Sequence, residues 1–194
     1  MRCFIGIRPS EEYLNEYKER VYDNKRFRLS KWFNLTPPDN VHITIKFLGE
    51  IDEQSPNYNK FIDDLSNIKI TEEVVRTKKC FEFFPLSGRP KILYHGLYED
   101  KKGVLKDLVR DIDEISPLVS PEISNETFVP HLTLGRSKRG ISLLERDKNN
   151  TEYIKAFEVN FRITGFTLFK SELTKKGAVY TELVKFPGAM YNGA

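Results

Sequence analysis

Histidine and cysteine are both scarce in this chain, three and two among 194 residues. Cys3 and Cys80 follow no secretion signal and have no metal-type spacing. They read as free thiols in a reducing compartment, which excludes a disulfide scaffold. A zinc site needs clustered ligands, and His42 and His131 each lack a Cys or His partner nearby in the sequence. No apolar run approaches the ~20 residues of a membrane helix. The opening MRCFIGIRPSEE has too short an apolar stretch for a signal peptide and none of its cleavage signals. The expectation is a cytoplasmic protein, unattached to membrane and acting as a monomer. Net charge is only +3, so an anionic ligand must be held by a local cluster of positive groups, not by a whole-molecule field. Broad binding to nucleic acid, which relies on a large basic surface, is disfavoured for the same reason. Low-complexity tracts and short-period repeats are also absent.

What the chain does have is aromatic surface, 14 Phe and 9 Tyr, more than disordered segments carry. Its length suits one domain, 1–194, with a sizeable core. RCFIGIR reads as a first strand ended by Pro9. Ser10 then caps a helix with two acids in its first turn and Tyr13, Leu14, Tyr17 and Val21 at helical spacing. TPPDN is a turn, VHITIKFLG a strand, and a helix is expected around 56–67. FEFFPL and KILYHGLYE read as strands separated by the turn signal SGRP. KKGVLKDLVRDIDEIS carries Val104, Leu105, Leu108, Val109 and Ile112 at helical spacing, and FVPHLTLGR is a further strand. Residues 137–153 are polar and irregular, with at most one short helix. Residues 157–186, FEVNFRITGFTLFKSELTKKGAVYTELVKF, alternate, with TKKG as a hairpin turn. About eight strands and three or four helices make an α+β protein.

Two of the three histidines occur in one repeated phrase, VHITIKFLG and VPHLTLGR. Strand alternation puts His42, Thr44 and Lys46 on one face and Ile43, Ile45 and Phe47 on the other. His131 and Thr133 oppose Leu132 and Leu134 in the same way. If the strands face each other, two imidazoles and two hydroxyls share a cleft. One histidine can then take a proton from water while the other gives one to a leaving oxygen. Histidine suits both tasks because its ordinary pKa is about 6.5. Threonine hydroxyls would donate to the non-bridging oxygens of a phosphoryl group. Arg136 would add a charge-assisted contact, and Lys46 is a weaker candidate for the same role. No metal or other cofactor is needed by this arrangement. His95, followed by Gly96 and Leu97 and not by threonine, reads as structural or surface.

With these motifs the chain resembles the 2H phosphoesterase superfamily, and within it the LigT-like RNA 2′,3′-cyclic phosphodiesterases. The likeness extends to RCFIGIRP, KFLGE, FPLSGRPKILYHGL, PHLTLGR and LFKSELTKKGAVYTEL. It implies a bilobal α+β fold in which two antiparallel sheets line a V-shaped cleft with helices outside, the two lobes being pseudo-symmetric. It also implies metal-independent hydrolysis of an RNA-terminal 2′,3′-cyclic phosphate to a 2′-phosphate. Carried over by motif position, His131 is the proton acceptor that activates water and His42 the proton donor to the 3′ oxygen. Thr44, Thr133 and Arg136 would hold the phosphate, and Phe4 would pack against base or ribose. The partners implied are RNA 3′ ends or nucleotides bearing the cyclic phosphate. Some relatives also join tRNA halves in the reverse direction. Two other readings compete: the same chemistry on an ADP-ribose cyclic phosphate or a 2′,5′-oligonucleotide, and a nucleotide-binding module without catalysis. Intact copies of both histidines and both threonines favour an enzyme.

Overall fold

Alternating runs become nine antiparallel strands among the described residues of this computed structural model, which are 1–86, 88–98, 103–120, 127–139, 154–175 and 177–188. The strands are β1 (Arg2–Ile7), β2 (Phe33–Leu35), β3 (Ile43–Glu50), β4 (Glu73–Phe84), β5 (Ile92–Tyr98), β6 (His131–Ser137), β7 (Asn160–Ile163), β8 (Gly165–Thr174) and β9 (Gly177–Pro187). The helices are α1 (Glu11–Tyr17), α2 (Pro56–Asn67) and α3 (Val104–Ile115). At the start of α1 the Ser10 hydroxyl accepts the Tyr13 N–H at 3.3 Å, and Glu11 and Glu12 occupy the first turn, which suits the positive end of the helix. Ser55 caps α2 in the same way, with Pro56 at the first helical position. No helix among the described residues is long and apolar enough to cross a membrane. Residues 140–153, where a short helix was considered, lie outside the described residues.

The strand order is β7-β4-β5-β6-β3-β1-β8-β9, with β2 added beside β6. The α+β class holds, and the two expected sheets are the two halves of one sheet. They join at a single register pair, Ile43↔Leu132. On one side the cause is competition for one strand edge, and on the other β6 starts at His131 after Pro130, which has no N–H to offer. Beyond Leu132 the β6 edge is taken by β2, through Leu35↔Gly135, Asn34↔Arg136 and Phe33↔Ser137. Past their one shared pair, β3 and β6 diverge.

Each half is braced by a helix that arises in the other. Although α1 follows β1, its Tyr13 ring packs on Phe157 and Phe161, and its Tyr13 hydroxyl reaches His95 of β5. The Tyr17 hydroxyl donates to the Thr36 carbonyl at 2.7 Å, with the Leu134 carbonyl 3.2 Å away. Although α3 follows β5, its Asp113 meets Lys46 of β3 at 2.6 Å.

β4 is longer than the sequence pattern suggested, starting at Glu73 and not at Phe81. Its inward positions include Glu73 and Thr77, both buried, so the alternation is hidden behind polar letters. Both find partners, as buried polar groups must. Glu73 accepts the Val104 N–H that opens α3 (3.1 Å), and the Thr77 hydroxyl donates to the Phe157 carbonyl while accepting the Val159 N–H.

His95 lies wholly inside this core, among Tyr13, Phe81 and Phe157. The Lys78 carbonyl, 2.7 Å from Nε2, can only accept, so Nε2 carries the hydrogen and Nδ1 accepts from Tyr13 at 3.1 Å. The neutral ring is thereby satisfied, and burial pushes its pKa down to about 4. An unfolded histidine, near 6.5, binds a proton over a range where folded His95 does not. Stability therefore falls as pH drops from about 6.5 toward 4, by about 2 kcal/mol for this residue at pH 5. Urea unfolding at pH 7 and pH 5 should show the loss, and His95→Gln should remove about half of the histidine-linked dependence, the rest being that of buried His42, while lowering stability at pH 7.

Candidate active site

Two β-bulges, at the same place in each motif, decide which side chains enter the cleft. Along β1, Gly6 pairs with Thr44, Ile5 with Lys46 and Phe4 with Phe47, so Ile45 has no partner. Along β5, Tyr94 pairs with Thr133, Leu93 with Gly135 and Ile92 with Arg136, so Leu134 has none. Each bulge follows its threonine, and each reverses the alternation beyond it. In β6 the reversal turns Arg136 to the face of Tyr94, Thr133 and His131. In β3 it turns Phe47 to the face of Phe4 and Thr44. The carbonyl of bulged Leu134 is held by the Thr36 N–H at 2.8 Å, with the Tyr17 hydroxyl beside it.

Lys46 requires a correction. Alternation placed it with His42 and Thr44, but the bulge at Ile45 sends it to the opposite, helix-covered face. There it is 8% exposed and bound to Asp113. Phe4 also differs from expectation. It is 1% exposed, stacked on Phe169 at 4.9 Å and met edge-on by Tyr180 at 4.9 Å. Its ring lies 4.7 Å from the His42 ring. Enclosed on these sides, Phe4 is a platform for the imidazole and leaves no face for a base. In this half the cleft surface is reached instead by Phe47, 56% exposed and 6.1 Å from Phe4. Strict alternation had assigned it to the core. A pocket of about 200 Å³ opens beside it, lined also by Arg2, Gly49 and Glu50.

The antiparallel pair Ile43↔Leu132 fixes the rest. Continuing that register by one residue either way sets His42 against Thr133 and Thr44 against His131. The two imidazoles are anchored alike. His42 Nδ1 lies 2.7 Å from the Asn40 carbonyl, and His131 Nδ1 lies 2.8 Å from the Val129 carbonyl, two residues back in each case. A carbonyl only accepts, so each Nδ1 holds a hydrogen and each Nε2 is left to exchange protons. In neutral His42 that Nε2 accepts from the Thr44 hydroxyl at 3.0 Å.

Their surroundings differ. His42 is overlaid by Tyr180 at 5.2 Å and sits on Phe4. Burial pushes its pKa down to about 4, the Asn40 carbonyl opposing and the charges of Arg8 and His131 adding to the effect. Arg8 is itself held to Glu182 at 2.6 Å, with its guanidinium over the Phe169 ring. His131 is only partly covered and meets the Tyr94 ring edge-on at 5.2 Å. The result is two proton-exchanging nitrogens with two hydroxyls and an exposed guanidinium on one face. That arrangement can bind a tetrahedral oxyanion and move protons on either side of it.

A family model described as LigT like Phosphoesterase matches residues 5–94 and 98–180. The chain is 30% identical over 187 residues to a Methanocaldococcus jannaschii protein named RNA 2′,3′-cyclic phosphodiesterase, covering 95% of this chain and 99% of that one. An Archaeoglobus fulgidus protein of the same name is 31% identical over 194 residues, covering 96% and 99%. Among solved structures, a Thermus thermophilus protein superposes with TM-score 0.68 at 25% identity over 96% of this chain and 97% of its own. The E. coli LigT complex with 3′-AMP superposes with TM-score 0.75 at 17% identity over 97% and 98%, which bears on fold alone.

The two cations on either side of the bulges should separate cleanly in titration calorimetry with inorganic phosphate. Arg136→Met should weaken phosphate binding about tenfold or more, the effect of losing a charge-assisted contact. Lys46→Met should leave affinity within about twofold and change folding stability by no more than about 1 kcal/mol, because Asp113, 42% exposed, stays solvated without its partner.

Proposed function

The chain belongs to the family of LigT-like phosphoesterases, and on that footing we propose that it hydrolyses RNA-terminal 2′,3′-cyclic phosphates to 2′-phosphates. Relatives from two archaea are named RNA 2′,3′-cyclic phosphodiesterase, which supports the substrate class; the 2′-phosphate product is part of the proposal. The observation that carries the reading to this chain is the register of the motif strands. Carried one residue either way, the pair Ile43↔Leu132 would set each histidine toward the other motif's threonine, and each Nδ1 is held by a backbone carbonyl, which leaves Nε2 for proton exchange.

In the proposed reaction the cyclic phosphate lies between the two motifs. The Thr44 and Thr133 hydroxyls and the Arg136 guanidinium hold its non-bridging oxygens, where charge redistributes in the transition state. His131 Nε2 accepts a proton from water as the water oxygen bonds to phosphorus. The bond from phosphorus to the 3′ oxygen breaks, and His42 Nε2–H passes its proton to that oxygen. The 2′ ester remains, and His131 gives up its proton and His42 regains one by exchange with solvent before the next turnover. In the resting protein His42 is neutral at pH 7, since burial holds it near 4. An anionic substrate in the same enclosed space favours the charged imidazolium and draws the proton on. The Asn40 carbonyl, already bonded to Nδ1–H, supports the charged ring.

Incubation with 2′,3′-cyclic AMP in EDTA should release 2′-AMP. Formation of 3′-AMP alone, or no turnover, would contradict the mechanism. His42→Ala and His131→Ala should each lower kcat by about 100-fold or more. A cyclic substrate with sulfur in place of the 3′ oxygen leaves without protonation. It should therefore restore turnover in His42→Ala and not in His131→Ala; the opposite pattern would exchange the two roles.

A further inference from the structure

Beyond His131 the cleft face of β4 and β5 carries a strip of aromatic and cationic side chains that the reaction above does not use. The strip starts at Tyr94, whose ring meets His131. Gly96, next on that face, pairs with His131 in register. The Glu82 carboxylate and the Lys78 stem cross over it, 2.1 Å and 2.8 Å from where a Cβ would stand, so a side chain there would push these two flexible ends aside. Next comes Tyr98, 45% exposed, paired in register with Arg76. The Arg76 guanidinium lies over the Tyr98 ring at 5.0 Å, and the Lys78 ammonium stands 5.9 Å from the same ring. Lys78 is bonded to both Glu82 oxygens at 3.0 Å, so Glu82 offsets its charge and Arg76 is the cation of consequence.

We propose that this strip binds the single-stranded RNA leading to the cyclic end, with Tyr98 stacking a base and Arg76 contacting a phosphate. The proposal rests on the catalytic reading and makes it more specific: the substrate is an oligoribonucleotide end, preferred over a mononucleotide. Three observations support it. The strip is continuous with the active site through the contact of Tyr94 with His131. Its pairing of an aromatic face with a guanidinium is the chemistry that holds unpaired bases and their backbone without sequence preference. Its length also fits, since Tyr98 lies four strand residues from Tyr94, about 13 Å, which suits a nucleotide preceding the terminal one.

The test compares 2′,3′-cyclic AMP with a short single-stranded oligoribonucleotide ending in a cyclic phosphate, using wild type, Tyr98→Ala, Tyr98→Phe and Arg76→Ala. Thermal unfolding first establishes that each variant is folded. For the oligonucleotide, kcat/KM should fall about tenfold in Tyr98→Ala and in Arg76→Ala, while Tyr98→Phe keeps the wild-type value. With cyclic AMP all four proteins should agree within about twofold. Loss of Arg76 should also flatten the salt dependence for the oligonucleotide by a slope of about 0.7, as for one phosphate contact. Equal losses on both substrates, or none on either, would overturn the proposal. If wild type turns over neither substrate, the catalytic reading has failed. The strip is then judged by fluorescence anisotropy with the same oligonucleotide, where unchanged affinity in Tyr98→Ala and Arg76→Ala refutes it.

Discussion

One backbone pairing, Ile43 with Leu132, sets the geometry of everything in the cleft. Both residues are fully buried, each stabilising the fold by about 1.5–3 kcal/mol, and neither touches chemistry. Their importance is positional. An antiparallel pair has a local two-fold axis, so a His-x-Thr centred on one residue must face a His-x-Thr centred on the other with histidine against threonine. β2 occupies the β6 edge past this point, and in the other direction β6 starts at His131, directly after Pro130, which has no N–H to offer, so the pairing ends and the strands splay. A longer ladder would close the gap, and no pairing would leave the halves unregistered. A single pair is a weak joint, and the exchanged helices compensate: α1 ties its tyrosines to β5 and β6, and α3 ties Asp113 to β3.

Two equivalent motifs need not give two equivalent histidines. In the sheet order, β9 closes the half that holds His42 and β7 closes the half that holds His131. β9 has eleven residues and β7 has four. The longer strand brings Tyr180 over both His42 and Phe4, while His131 is met by Tyr94 and otherwise left more open. Burial then lowers the proton affinity of His42 in the free protein. In the proposed mechanism this ties protonation of the donor to arrival of an anion, so the acid is formed where a substrate phosphate is present to use it.

Much of this was legible in the residues. Ser10 announced α1, and TKKG announced the turn between β8 and β9, where Thr174 pairs with Gly177. The doubled His-x-Thr phrase located both motif strands. What escaped was whatever depends on a count of backbone residues across neighbouring strands. A bulge has no letter of its own: Ile45 and Leu134 look like ordinary core aliphatics, and each is buried as one. Lys46 was therefore placed in the cleft and Phe47 in the core, the reverse of their positions. Arg136 stands out by its place at the motif end, whereas alternation alone turns it away from His131. The early part of β4 escaped for a different reason, since its inward Glu73 and Thr77 are satisfied by partners distant in sequence.

The bulges also explain why the two motifs diverge in sequence just after their common part. The residue following each bulge turns to the helix-covered face, and what packs there decides its identity. Beside β6 lies its strand neighbour β2, so close that a Cβ on Gly135 would stand 2.9 Å from the Asn34 carbonyl oxygen and 3.2 Å from Phe33 Cβ. Only glycine fits without displacing backbone. Behind β3 at the matching place there is instead Asp113 of α3, and Lys46 reaches it. One position further on, both strands point to the cleft again, and there the difference becomes functional. β6 presents Arg136, suited to an oxyanion, and β3 presents Phe47, suited to an apolar or aromatic surface. From two copies of one motif, the same backbone irregularity thus yields a cleft with a cationic end and an aromatic end. That polarity is what a nucleotide, with its phosphate at one end and its base at the other, requires of a site.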